Sequence, residues 1–322
     1  MIKVTKLLIF TIIFLAGTIK TFATTWDEPW TDKVIKESDY FVFADIISYD
    51  KEKGIKIKII KQLGGEKLPL EIEITNFYLL DITSRSGGHA PEFPNFEDIK
   101  QSYFFIKKNS QDKFCISTPT SGFDYVEDEN VHATYRHSYH QASIPIDIYE
   151  MTMTAIFNNY HHLDYNRVQI TNFINQNLSK KPAGFGDNEI KTFFLQHVAM
   201  ETIFHLKIDG YYNLLLPFFN DNTNFHHRVS ACRALVASNN QKTIKTLVNK
   251  IAANKDDDFT TVICIWTLKE LKPKEIKKDL QKLISKASTK KNGFGGNIMD
   301  SRVGTDFPTV KRALEELIKT LE

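Results

Sequence analysis

The sequence predicts an α+β protein, with a small antiparallel β-barrel or meander followed by an α-solenoid of paired helices. Three observations lead to this fold class. Apolar and polar residues alternate between Tyr40 and Ser117, the period changes to that of helices after Pro145, and a helical layout then recurs. The composition, with 42% hydrophobic and 25% charged residues in 322, excludes disorder and collagen for most of the chain and predicts about two domains.

The first element is a segment with the layout of a secretory signal peptide, predicted over residues 1–23. Lys3 and Lys6 precede an apolar run, and Thr21 and Ala23 place small residues at a cleavage site. The run is shorter than the roughly 20 residues of a membrane-spanning helix. We therefore expect cleavage after Ala23, no transmembrane segment in the mature chain, and a periplasmic or extracellular location.

Residues 24–117 are predicted to form a β-rich domain. The stretch 40–49 is dense in aromatic and branched residues, as strands are. Residues 54–60 and 70–75 alternate, so that pairing them would bury isoleucines on one face and set lysines opposite glutamates on the other. Residues 103–117 contain the next predicted strand pair.

The order of these features resembles the netrin-like family. The resemblance rests on FVFADIIS, GIKIKIIKQLGG, LEIEITNF and YFFIKK, and covers about 80 residues. It implies a five-stranded OB-type barrel in an exported protein. Family members that inhibit metalloproteinases use an N-terminal cysteine, whereas the predicted mature chain begins at Thr24, so that inhibitory activity does not carry over. A protease inhibitor is a further alternative function that rests only on the barrel resemblance.

Residues 118–145 are predicted to be a histidine- and acid-rich connecting loop, because no period is sustained there. Loops of this length in compact domains are usually functional or disordered, and the aromatic residues disfavour disorder. We interpret the segment as a partner-binding loop. Its candidate contact residues are Phe123, Asp124, Tyr125, Tyr135, Arg136 and Tyr139.

His132, His137 and His140 in this segment are ligand types for zinc or another divalent cation. A metal-binding protein or a metal-dependent hydrolase is therefore an alternative function. Histidines that pack the segment onto the helical half are the other interpretation, and the spacing matches no established metal signature. We predict no catalytic residue and no cofactor, with the divalent metal as the alternative.

Residues 146–322 are predicted to be a HEAT-like helical repeat domain. A helix–turn–helix layout at 211–238 recurs at 241–271, where Val229 recurs as Val262. This resembles HEAT-like α-solenoid repeats, whose paired helices bury their apolar faces by stacking on neighbouring pairs. The resemblance implies an extended surface for binding.

The chain has three cysteines, Cys115, Cys232 and Cys264. One interpretation is three buried thiols that act as small hydrophobic side chains. The other is a Cys232–Cys264 bridge between neighbouring repeat helices, with Cys115 left unpaired.

Charge is unevenly distributed along the chain. Residues 24–150 hold 14 Lys+Arg and 22 Asp+Glu, a net of −8, whereas residues 151–322 hold 24 and 17, a net of +7. The two halves would attract each other and dock, or the helical half would present a basic surface to an anionic partner. Nucleic acid is not expected, because the basic residues are mostly lysine.

Together these features predict an exported, non-catalytic binding or scaffold protein. Its partner would be a protein or an anionic envelope component, bound through the helical surface and the segment 118–145.

Overall fold

The structure, a computed structural model, describes residues 26–50, 54–76, 99–118, 121–138, 140–253, 257–291, 303–304 and 306–321. It has an antiparallel β-sheet in the N-terminal half and helices in the C-terminal half. The predicted signal segment lies outside the described residues.

Eight strands form the main sheet, in the order β4-β3-β2-β5-β7-β8-β9, with β6 paired to β5. Their bounds are β2 Tyr40–Asp50, β3 Gly54–Gly64, β4 Glu71–Ile74, β5 Gln101–Lys108, β6 Phe114–Cys115, β7 Phe123–Glu127, β8 Asn130–Thr134 and β9 Gln141–Pro145. A separate short pair joins β1 (Trp26–Asp27) in parallel to β10 (Val303–Gly304). Every pairing within the main sheet is antiparallel.

The alternating pattern of the first strands is confirmed in the pairing of β3 with β4. Ile57 lies opposite Ile72 on the buried face, and Lys56 lies opposite Glu73 on the other face. The ammonium Nζ of Lys56 is 2.6 Å from Oε2 of Glu71. The isoleucines therefore fix the register by burial, and the charged row is its consequence on the solvent side.

The prediction of a connecting loop over 118–145 is wrong, because β7, β8 and β9 occupy most of this segment. The turn between β7 and β8 consists of Asp128 and Glu129, whose φ values are 47° and 62°. Two residues with positive φ form the hairpin turn that Asn-Gly or Asp-Gly usually signals in a sequence. Asp-Glu gives no such signal, and the strands are only five residues long.

The helices that the sequence predicts at 211–220, 225–238, 241–254 and 259–271 are present. The full set is α1 Thr31–Glu37, α2 Ile146–Tyr160, α3 Arg167–Leu178, α4 Ile190–Leu206, α5 Tyr212–Phe219, α6 Phe225–Ala234, α7 Gln241–Ala252, α8 Asp258–Leu271, α9 Lys277–Leu283 and α10 Val310–Thr320. Short 3₁₀ turns extend α9 at both ends, over Lys274–Ile276 and Ile284–Lys286. No helix in the described ranges is long and apolar enough to cross a membrane.

One hydrophobic cluster runs from the sheet into the helices. Helix α2 follows β9 without a linker and lies on the sheet, where Phe157 packs 5.8 Å from the ring of Phe41. Gly64 allows this close approach, because a Cβ there would lie 2.3 Å from the Phe157 ring. The sheet and the helices are thus packed on each other, and the core does not end at the predicted domain boundary.

Candidate functional site

The described residues at the tip of the β8–β9 hairpin, 135–138 and 140, are enclosed between the sheet and the helices. Tyr135, Arg136 and His137 have no exposed surface. The start of α1 holds the tip from one side, where the Thr31 amide donates to the Arg136 carbonyl at 3.0 Å. The segment that the sequence presents as a surface loop is therefore an internal part of the fold.

Around this tip lies a group of polar side chains that we call the buried polar cluster. Helices α4 and α6 supply most of it at intervals of three or four residues, so that one face of each helix points to the tip. Its members are Arg136, His137, His140, His197, Glu201, His205, His226, Ser230 and Arg233.

Glu201, which is fully buried, holds the centre of the cluster. Its Oε1 accepts from the Ser230 hydroxyl at 2.7 Å, and its Oε2 accepts from Nε of Arg233 at 2.9 Å. Burial lowers the pKa of Arg233, but the charges of Glu201 and Asp32 and the hydrogen bond to Glu201 together outweigh it and raise that pKa. A buried carboxylate with these two donors is well compensated.

Arg136 is the second buried cation. Its guanidinium donates to the Ser230 hydroxyl at 3.3 Å and to Nδ1 of His226 at 3.2 Å. Burial lowers the pKa of Arg136 to about 9, so the group is still charged at pH 7. Two guanidinium groups thus face one carboxylate at the centre of the cluster, with Asp32 of α1 as a further charge that acts on Arg233.

The histidines of the cluster are neutral at pH 7. Burial lowers the pKa of His137, His205 and His226 to about 4, and it holds the pKa values of His140 and His197 well below 6.5. The neighbouring charge of Arg136 or Arg233 adds to the effect for each of them. Protonation would place further positive charges beside two buried guanidinium groups.

Two hydrogen bonds determine the tautomer of His205. Its Nε2 donates to the Tyr135 carbonyl at 2.7 Å, and its Nδ1 accepts from the Tyr160 hydroxyl at 2.8 Å. Since a carbonyl can only accept, the proton resides on Nε2. His205 therefore joins α4 to the hairpin tip and to α2.

Ser230, His197 and Glu201 contain the residue types of a catalytic triad but not its arrangement. The Ser230 hydroxyl donates its only proton to Glu201, so Nδ1 of His197, 3.0 Å away, donates to Ser230. A nucleophilic serine needs the histidine as its proton acceptor. All three side chains are also buried, which leaves the arrangement a structural one.

Most of the predicted partner contacts in 118–145 are internal. Asp124 is buried and accepts from the Tyr149 hydroxyl at 2.6 Å, and burial raises its pKa to about 6. Tyr125 is buried against the ring of His132, and Phe123 is half-buried. Tyr135 and Arg136 belong to the enclosed hairpin tip, and Tyr139 lies outside the described residues. Such side chains have little surface to offer a partner.

Of the three predicted metal ligands, His137 and His140 belong to the buried polar cluster, whereas His132 does not. His132 stacks on Tyr125 with its Nε2 3.2 Å from Oε2 of Glu127, whereas His137 lies edge-on to Trp30 and His140 edge-on to His226. In the parts of the chain described above, no three His, Cys, Asp or Glu side chains come together in a group that could hold a metal ion. The metal alternative gains no support from this geometry.

A different surface stands out in the helical half. Residues 272–291 carry eight lysines and two acidic residues, a net of +6, which is nearly the whole +7 of residues 151–322. Every fourth residue is an exposed lysine: Lys274, Lys278, Lys282, Lys286 and Lys290. We call the lysine side chains of residues 272–291 the lysine ridge.

The fold orients the lysine ridge outward. Leu280 of α9 is fully buried and anchors this helix on the core, so the opposite side faces solvent. Lys282 pairs with Asp279 at 2.8 Å, whereas Lys274, Lys278 and Lys286 have no ion pair within the described ranges. Lys278 and Lys282 lie four residues apart on α9 and therefore repel each other, and an approaching anion would relieve this repulsion.

No family model, curated protein or solved structure matches this chain. The netrin-like and HEAT-like resemblances therefore rest only on the residues that suggest them.

Sequence reasoning missed the four-residue lysine interval and the buried polar cluster for different reasons. The lysine interval is visible in the sequence once residues 272–291 are considered alone rather than within a half-chain total. The polar positions 197, 201 and 205, four residues apart on a mostly apolar helix, are also visible. Their partners on α6 and the hairpin tip are not, because that contact depends on the tertiary structure.

Proposed function

We propose that this protein is a non-catalytic binding protein that attaches to an anionic surface through the lysine ridge. The observation that carries the proposal is the concentration of a net +6 in residues 272–291, where Lys274, Lys278 and Lys286 are exposed and have no ion pair in the described ranges. A charge of this density attracts polyanions over distances near the Debye length.

The packing of the two halves does not use this charge. Among the described residues, the ion pair that joins the sheet to the helices after β9 is the one between Lys61 of β3 and Glu150 of α2, and here the cation comes from the sheet. The halves are held instead by the shared core and the buried polar cluster. The basic excess of the helical half therefore remains available to a partner.

Lysine, rather than arginine, supplies every basic residue of the ridge. A lysine ammonium is a compact point charge that needs no matched geometry, whereas arginine suits bidentate recognition of single carboxylates and phosphates. Repeated point charges fit a surface with many headgroups, where each lysine contributes about 1 kcal/mol. An anionic lipid surface is thus the partner that this chemistry favours.

Vesicle co-sedimentation tests the proposal. The full chain should bind vesicles that contain phosphatidylglycerol and should not bind phosphatidylcholine vesicles. The triple variant K274Q/K278Q/K286Q should bind roughly 100-fold more weakly, from about 1 kcal/mol per lysine. The control K58Q/K67Q/K113Q removes three exposed lysines from the sheet half and should bind as the parent does.

Equal losses in the two triple variants would show that net charge alone governs binding and would refute a site at the ridge. If the chain bound polyglutamate but neither kind of vesicle, the partner would be an acidic protein and not a lipid surface. Circular dichroism of each variant checks that the fold is retained.

The proposal includes the fold families that the two halves resemble. Helix pairs α5–α6 and α7–α8 repeat one layout, and Val229 and Val262 are both fully buried, which supports HEAT-like repeats that display the ridge. A netrin-like or OB-like relationship of the sheet is the corresponding proposal for the first half. The signal-like segment 1–23 supports export, so the anionic surface would belong to the cell envelope.

A further inference from the structure

Two cysteine side chains meet in the core of the helical half. Cys232 on α6 and Cys264 on α8 lie with their sulfur atoms 3.0 Å apart, and both are fully buried. Both are thiols in this structure. Each sits on a regular helix whose packing is fixed by buried neighbours, so the approach of the two sulfurs is a property of the helix pair.

We propose that Cys232 and Cys264 form a disulfide when the chain folds in an oxidising compartment. The bond would link α6 of one helix pair to α8 of the next, and it does not depend on the proposed binding function. Between these cysteines lie α7 and the turns at its two ends, so the bond closes a loop across two helix pairs. Such a bond stabilises a fold mainly by restricting the unfolded chain.

The reaction needs a disulfide as oxidant, and a small-molecule disulfide such as oxidised glutathione supplies it. One cysteine thiolate attacks this disulfide, forms a mixed disulfide and releases one thiol. The second cysteine then attacks the mixed disulfide and releases the other thiol. In sum, two protein thiols are oxidised to one disulfide, and one small disulfide is reduced to two thiols.

Burial determines when this reaction takes place. In the folded chain, neither sulfur is accessible, and burial holds the pKa of Cys264 well above 9, with Cys232 adding to the effect. The thiolate that attacks is therefore scarce in the native state. The first attack therefore belongs to the folding process, while the sulfurs are still accessible, and the second follows as α6 and α8 pack together.

Cys115 provides an internal control. It lies on β6 in the sheet half, where 7% of its surface is exposed. With no second cysteine on its strand or on the neighbouring β5, it should remain a thiol. The proposal therefore predicts one thiol per chain rather than three or none.

The test is thiol counting after refolding in a glutathione redox buffer. The protein is denatured without reductant, alkylated with iodoacetamide and digested for mass spectrometry. We expect one alkylated cysteine, Cys115, and a Cys232–Cys264 peptide pair whose mass is lower by two hydrogen atoms. The melting temperature should drop when a reductant is added to the folded protein during heating.

Variants make the result decisive. C115A should give no alkylated cysteine and the same linked peptide pair, whereas C232A should give alkylation at Cys115 and Cys264. Alkylation of all three cysteines in the correctly refolded parent would overturn the proposal. A link between Cys115 and either of the others, or between two chains, would overturn it as well.

Discussion

The two charged regions of this protein, the buried polar cluster and the lysine ridge, differ in how far their charges are buried and paired. The buried polar cluster holds two arginines, one glutamate and a group of neutral histidines with little or no access to water. The lysine ridge belongs to a segment with a net of +6, and most of its lysines are exposed. In the cluster each charge has a bonded or facing partner, whereas several ridge lysines have none in the described ranges.

The difference teaches that the surroundings of a charge determine its role more than its residue type does. A buried charge must be paired within the fold, so its removal costs stability and tells little about ligands. An exposed charge contributes little to stability because water screens it, but it remains available for binding. Four predictions test this contrast.

The largest expected effect is acid unfolding. Between pH 6.5 and about 4 the unfolded chain binds protons at its histidines, whereas His137, His205 and His226 stay neutral in the folded chain. The free energy of unfolding should therefore decrease as the pH falls, by up to about 1.4 kcal/mol per pH unit for each histidine. Three such groups would remove much of a typical stability of roughly 5–15 kcal/mol.

Urea denaturation at pH 7, 6 and 5 measures this slope. Asp124 has the opposite effect on the free energy of unfolding, because burial raises its pKa to about 6 and the folded chain therefore binds this proton before the unfolded chain does. This single group opposes three histidines, so the net slope keeps its sign. His226→Asn should reduce the slope. A free energy of unfolding that is constant from pH 7 to pH 5 contradicts the prediction.

The second prediction concerns Glu201. Glu201→Gln removes the carboxylate between Arg136 and Arg233 and leaves two buried cations without it, which should cost about 3–5 kcal/mol. Glu270→Gln is the control, since its pair with Lys207 is about half-exposed and should contribute less than about 1 kcal/mol. Similar losses of unfolding free energy in urea for both variants would mean that burial does not distinguish the two pairs.

The third prediction concerns Ser230, which accepts from Arg136 and His197 and donates to Glu201. Ser230→Ala leaves these buried polar groups without that partner and should cost about 1–3 kcal/mol. The exposed Ser285 is the control, and Ser285→Ala should change the unfolding free energy by less than about 0.5 kcal/mol. Chemical denaturation of the two variants side by side gives the answer.

The smallest effect is expected at the lysine ridge. Lys278→Gln removes repulsion from Lys274 and Lys282, so it should raise the unfolding free energy by a few tenths of a kcal/mol. Lys282→Gln removes the same kind of repulsion but also breaks the ion pair with Asp279, so it should not raise the unfolding free energy. If Lys278→Gln lowered the unfolding free energy by more than about 1 kcal/mol, Lys278 would stabilise the fold as Glu201 does, and the prediction would be wrong.

Much of the fold could be predicted from local patterns. The alternation of Ile55, Ile57, Ile72 and Ile74 determined the pairing of β3 with β4, because burying these side chains leaves one register. The helices after Pro145 followed from their apolar period and from polar turns. The strands β7 to β9 could not be predicted, since their turn at Asp128 and Glu129 has hairpin geometry without the usual residues.

The site shows the same division. That residues 118–145 collect histidines, tyrosines and acidic residues was evident from the sequence, but whether they face solvent was not. Arg136 reads as an exposed arginine until α4 and α6 enclose it. A loop contact with a partner and a buried contact within the fold use the same residue types, so composition cannot separate them.

By itself, the sequence determined the α+β order, the strand and helix periods, and the charges of each segment. These properties depend on neighbours a few residues away, where local geometry is fixed. Only the tertiary structure decided that Glu201 pairs with Arg233, that Cys232 meets Cys264, and that the hairpin tip lies inside. Such contacts depend on how distant elements pack, and packing assigns each charge either to the interior or to water.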